Sequence, residues 1–160
     1  MSEIELVDPE TEQRVLVMLT GADDPEKVKA LEEFALQQPQ VDLQTSHVVH
    51  GGMCARTIII PAGTVMTGAL LNKDNIIVMV GDLIVTTAEG LRRLTGYHVL
   101  PVAKGFKRAG VILQDTYWTT FVRTDKTEIR DIEDEMTDES AQLQTRRAGI
   151  EFAPNHALEA

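Results

Sequence analysis

The stretch Asp74-Asn-Ile-Ile-Val-Met-Val-Gly-Asp-Leu-Ile-Val-Thr-Thr-Ala-Glu-Gly90 decides the fold. Two runs rich in Val, Ile and Thr are separated by Val80-Gly81-Asp82 and closed by Ala88-Glu89-Gly90. Such punctuation suits the tight turns of antiparallel hairpins, because glycine tolerates positive φ. The same texture extends outward from Val41 to Arg123, with a break roughly every ten residues. Strands are expected near 45–50, 54–60, 64–71, 75–80, 82–87, 90–94, 97–100 and 109–123, the last bent around Asp115. Eight short strands make a sandwich or a barrel, and parallel α/β architecture is disfavoured.

On the N-terminal side, residues 23–38 read as a helix: Asp23 or Asp24 caps it, Pro25 fits its first turn, and Val28, Leu31, Phe34 and Ala35 form one apolar stripe. Pro39 stops it, and the run from Arg14 to Leu19 reads as a buried strand. Beyond Thr124, Ile129, Ile132, Met136 and Leu143 repeat at helical spacing among acidic residues, a stripe that needs a barrel or a second subunit to pack against. The closing APNHALEA reads as a frayed end. The organisation expected is therefore an N-terminal strand and helix extension over 1–40, a β-barrel over 41–124, and an acidic C-terminal helix and tail over 125–160.

With 160 residues, 43% hydrophobic and 25% charged, the chain can build a sizeable core. No apolar run approaches the ~20 residues of a membrane-spanning helix. The acidic opening MSEIELVDPE does not resemble a signal peptide, so a cytoplasmic location is expected. One cysteine, Cys54, cannot form an internal disulfide. The net charge of −10 speaks against general affinity for nucleic acid or anionic membranes. Its distribution is uneven: −7 over residues 1–40, +3 over 41–124 and −6 over 125–160. A basic centre of this size suits a small anion better than a polymer.

Ile60-Pro-Ala-Gly-Thr64, the stretch Asp74 to Asp82, Gly90, Gly96 and Pro101 together resemble the cupin family. The resemblance covers roughly residues 50–123 and implies a double-stranded β-helix, or jelly-roll, barrel with a metal site of three histidines and a glutamate. Counted from Gly63, the first two histidine positions fall at Ala69 and Leu71, the glutamate at Asp74 or Asn75, and the third histidine at Phe106 or Lys107. None carries the family's ligand, and alanine and leucine supply no donor, so neither metal nor other cofactor is expected. The wider span HVVHGGMCARTIIIPAGTVMTGALL, GDLIVTT, RLTGYHVLPVAKGFKRAG and DTYWTTF, with the acidic DEMTDE, resembles small cupin-like proteins of bacteriophages and prophages. That resemblance implies a host cytoplasm or virion as the location.

His47, His50 and His98 could form a displaced metal site only if a bulge brought the first two together, because strand residues three apart face opposite ways. Cys54 reads as a buried thiol before it reads as a nucleophile. No Walker loop, GxGxxG or nucleophile elbow is present. The candidate ligand-binding residues are Arg56, Arg92, Arg93, His98, Lys104, Lys107, Arg108, Tyr117 and Trp118, at a barrel mouth where guanidinium forks meet phosphate and rings stack on a base. The function expected is non-enzymatic binding of a small anionic ligand by a homo-oligomer, a nucleotide signal of host antiviral defence being the suggested ligand. The alternatives are a structural phage protein and a cupin enzyme using His47, His50 or His98 with Asp74 or Asp115.

Overall fold

The structure is a computed structural model that describes Ser2–Glu5 and residues 25–146. Its strands are β1 (Ser2–Glu5), β2 (Gln44–His50), β3 (Met53–Ile60), β4 (Thr64–Thr67), β5 (Asn75–Thr87), β6 (Gly90–Val102) and β7 (Ala109–Arg123). Helix α1 (Pro25–Leu36) precedes β2, whereas α2 (Ile129–Met136) and two 3-10 turns, Ser140–Gln142 and Gln144–Arg146, follow β7. Every strand pairing is antiparallel. The centre is β7, whose start pairs with β4, whose later half pairs with β3, and whose other edge pairs with β5. The outer partners are β1 on β4, β2 on β3 and β6 on β5. This is the mainly β, antiparallel barrel with helical extensions that the sequence predicts. Among the described residues no helix is long and apolar enough to cross a membrane. The expected strand at Arg14 to Leu19, the caps at Asp23 or Asp24 and the APNHALEA end lie outside the described residues.

The eight expected strands become six over the same span, and the one expected at 64–71 stops at Thr67. Val80-Gly81-Asp82 is not a turn: β5 runs straight through it, and β6 joins 90–94 to 97–100 across Gly96, the partner of Gly81. The bend expected at Asp115 is present, because β7 slips against β5 between the pairs Val80 with Tyr117, Asp82 with Gln114, and Leu83 with Ile112. Gly81 permits that slip. A Cβ there would lie 2.1 Å from Thr116 Oγ1 and 2.8 Å from Thr116 Cα, inside any real contact. Gly81→Ala is therefore expected to cost about 1–3 kcal/mol through forced backbone displacement. Urea unfolding checks this, and a loss under about 0.5 kcal/mol, the ordinary surface value, would show that β7 yields freely.

Alternation along the strands sorts the side chains. β3 buries every second residue, Cys54, Arg56, Ile58 and Ile60, and the barrel interior is filled by Ile58, Ile60, Ile77, Met79, Leu83, Ile112 and Trp118. Each fully buried Leu or Ile contributes about 1.5–3 kcal/mol. Helix α1 lays its predicted stripe, Val28, Leu31 and Ala35 with the partly buried Phe34, on the outer face of Val65, Ala109 and Val111. Helix α2 packs on the barrel of its own chain, through Ile132 and Met136 against Cys54 and Val122, while Leu143 reaches the barrel core.

Candidate functional site

Inside the barrel is a cavity of about 90 Å³. Strand register sets its walls: Arg56 of β3 opposes Thr120 of β7, which opposes Ile77 of β5, and the next inward row is Ile58, Trp118 and Met79. Asn75, Phe106 and Arg108 complete the polar and aromatic lining, and Met136 and Leu143 border it from the C-terminal segment. Arg108 is held at the entry to β7, with its guanidinium carbon 4.9 Å from the Phe106 ring centroid and Nη1 donating to Thr86 O at 3.4 Å. Its Nε is buried with no hydrogen-bond partner among the described residues, and burial lowers the pKa of the group. Asn75 Nδ2 donates to Lys73 O at 3.2 Å, which fixes the orientation of the amide, and leaves Oδ1 a buried acceptor without a partner among the described residues. Two lining residues thus each hold a buried polar atom with no partner among the described residues, one donor and one acceptor, a condition that costs about 1–3 kcal/mol per group unless water or a ligand meets it.

The positions at which the resemblance would put metal ligands lie around this same cavity. Ala69, Leu71, Asn75 and Phe106 line it, Lys107 turns to other partners, and Asp74 Oδ1 accepts from Lys104 N at 2.9 Å. One amide oxygen among carbon side chains is no coordination sphere, so these residues do not fit the family's metal. Among the described residues no group of three or more His, Cys, Asp or Glu is placed to hold a metal ion.

Of the nine candidate residues, the cavity brings together Arg56, Arg108 and Trp118. The others are dispersed. Arg93 forks onto Asp82 at 2.9 and 2.7 Å, and that hydrogen-bonded guanidinium holds the Asp82 carboxyl below the usual carboxylate range. Arg92 and Lys104 are exposed, and His98 Nε2 lies 3.0 Å from Thr95 O. Lys107 is buried between Glu32 at 3.0 Å and Glu139 at 2.9 Å. Tyr117, adjacent to Trp118, points to the opposite face and is exposed. Asn75 and Thr120 were absent from the sequence candidates; their signal was the two-residue alternation that puts them in phase with Ile77 and Trp118.

A second buried polar group lies beneath α2. His47 opposes Arg56 across β2 and β3, and its Nε2 is 3.6 Å from Glu133 Oε1. Burial, helped by the Arg56 charge and opposed by Glu133, pushes the His47 pKa down to about 4. The unfolded chain, with an ordinary imidazole near 6.5, then binds more protons between pH 6.5 and 4. Stability should fall across that window as pH falls, by on the order of 3 kcal/mol in all. Urea unfolding at several pH values should show a shallower fall for His47→Gln than for the native chain; parallel curves would contradict it. His50 is exposed on the other face, and burial pushes the Cys54 thiol up, which makes it a poorer nucleophile.

No family model matches the chain. No curated protein matches it either. Among solved structures, it is similar to a cupin superfamily protein from Desulfitobacterium hafniense, at 10% identity over 55% of this chain and 83% of that one, TM-score 0.44. It is also similar to KdgF from Halomonas sp., at 19% identity over 54% and 86% of the two chains, TM-score 0.42. A third similarity is to the cupin domain of Cnp3 from Schizosaccharomyces pombe, at 19% identity over 52% and 69%, TM-score 0.40.

Proposed function

We propose that the protein binds a small oxyanion inside its barrel, between Arg56 and Arg108, and acts by holding it. The observation that carries this reading is the buried Nε of Arg108, a residue lining the 90 Å³ cavity, which has no partner among the described residues. Arginine offers a fork of N–H donors that matches phosphate or carboxylate oxygens. Asn75 Oδ1 on the same wall asks for a donor, so an oxyanion that also carries a hydroxyl, such as hydrogen phosphate, meets both groups. Whole drug-sized ligands occupy about 300–1,000 Å³, which makes a phosphate group the better fit to this volume than an entire nucleotide.

The narrower form of the reading is a bacteriophage protein that sequesters a nucleotide signal of host defence. A nucleotide would enter by its phosphate and leave its nucleoside outside the cavity. Thermal unfolding with inorganic phosphate, sulfate, small hydroxy acids and nucleoside monophosphates tests both forms. A saturating ligand at 100 times its Kd adds about 2.7 kcal/mol, a readily measured rise in Tm. Phosphate should raise Tm, and Arg108→Met should abolish the rise. A larger rise with nucleotides than with phosphate favours sequestration. No rise with any anion overturns the reading.

A further inference from the structure

Among the described residues, one outward face of the barrel is apolar and carries no charge. Tyr97, Val80, Tyr117 and Ile59 form a row across β6, β5, β7 and β3. Two residues along, Val99, Val78 and Thr119 form a second row, and Pro101, Ile76 and Phe121 a third. Tyr97 is 68% exposed, Tyr117 and Val99 are 53% exposed, and Ile76 is 48% exposed. The corresponding outer face over β4 and the start of β7 is covered by α1. In a chain with net charge −10, acidic and basic groups appear only at the border of these rows: Asp82, Arg93 and Asp115 at one end, Asp74 and Arg123 at the other. An apolar centre inside a charged rim is the anatomy of a protein interface.

We infer that this face is where a second copy of the chain docks. Its extent supports that occupant. Four strands about 4.8 Å apart and five residues of about 3.4 Å rise give a patch on the order of 19 Å by 17 Å. That is the apolar core expected within the roughly 800 Å² that each partner buries in a stable dimer.

Its shape is also self-complementary. The first row projects two tyrosine rings, and the third row borders a cleft of about 660 Å³ between Met53, Ile76, Pro101 and Phe121. A two-fold axis lying along the middle row turns each copy's tyrosine row onto the other's cleft row, the reciprocal contact that closed symmetry requires. With no charge in the three rows, no like charges meet at the centre of that contact. The inference is independent of what the barrel binds.

Sedimentation velocity of the full chain tests it. The native chain should sediment as a dimer at about 10 μM, and Tyr97→Glu and Tyr117→Glu should each raise the dissociation constant at least about tenfold while leaving the far-UV circular dichroism unchanged. Leu91→Glu, outside the three rows and 41% exposed, should remain dimeric. Two exposed positions are used so that misfolding of one variant leaves the other informative. A native chain that stays monomeric at about 100 μM, or a dimer that neither tyrosine variant weakens, overturns the inference.

Discussion

Replacing Lys107 with methionine is expected to destabilise the protein by about 3–5 kcal/mol, because it strips the cation from a buried cluster and leaves its carboxylates behind. The Lys107 side chain is 2% exposed, with Nζ 3.0 Å from Glu32 of α1 and 2.9 Å from Glu139 of the C-terminal segment. Glu32 also accepts from Thr67 Oγ1 of β4 at 2.7 Å, and Glu139 from Leu70 N at 2.8 Å. One ammonium therefore fastens both extensions to the barrel. At about 2–4 °C per kcal/mol, the loss should lower Tm by roughly 10 °C. Adding Glu32→Gln and Glu139→Gln to Lys107→Met should recover much of it, since the penalty lies in the uncompensated charges. A single-variant loss below about 1 kcal/mol, the range of exposed pairs, would contradict this account.

The second large effect is expected at Arg146. Glu133 projects from α2 into the protein with its side chain 2% exposed; it accepts from Arg146 Nε at 2.7 Å and from the Thr145 hydroxyl. Arg146 Nη2 continues to Arg130 O at 2.7 Å and Asp134 Oδ1 at 2.9 Å, which ties the last 3-10 turn to the helix. Arg146→Met leaves the Glu133 carboxylate buried without its cation and should cost about 3 kcal/mol at neutral pH. Lowering the pH should narrow the difference from the native chain, because His47, 3.6 Å away, can then take up a proton and become the counter-charge. Chemical unfolding of both chains at pH 7 and at pH 4, where about half of His47 is protonated, measures this. A gap that widens in acid would contradict the assigned pairing.

Local composition made the barrel readable. Runs of Val, Ile and Thr between turn residues placed β3 and β7 and the two halves of β5, and one helical stripe marked α1. Gly81-Asp82 misled because the dipeptide has hairpin chemistry, and only the facing Gly96 and the pressing Thr116 show why the strand needs glycine without turning. The site was less accessible for the same physical reason. Alternation alone separates Tyr117 from Trp118, but the partner that takes Arg93 lies 11 residues away and the one that takes Lys107 lies 75 residues away. Spacing along the chain cannot rank such pairings against a ligand. Asn75 was hidden because its value lies in an unmet acceptor, which exists only after the barrel has closed around it.

The chain's single tryptophan gives the most direct test of anion binding, because Trp118 is itself part of the cavity wall. Its fluorescence should be titrated with inorganic phosphate at constant ionic strength, in the native chain and in Arg108→Met. The account predicts a saturable change in the native chain that chloride does not reproduce and that Arg108→Met loses. A native signal that stays flat to about 10 mM phosphate, weaker than any specific site needs, or an equal response from Arg108→Met, would contradict an oxyanion held between Arg56 and Arg108.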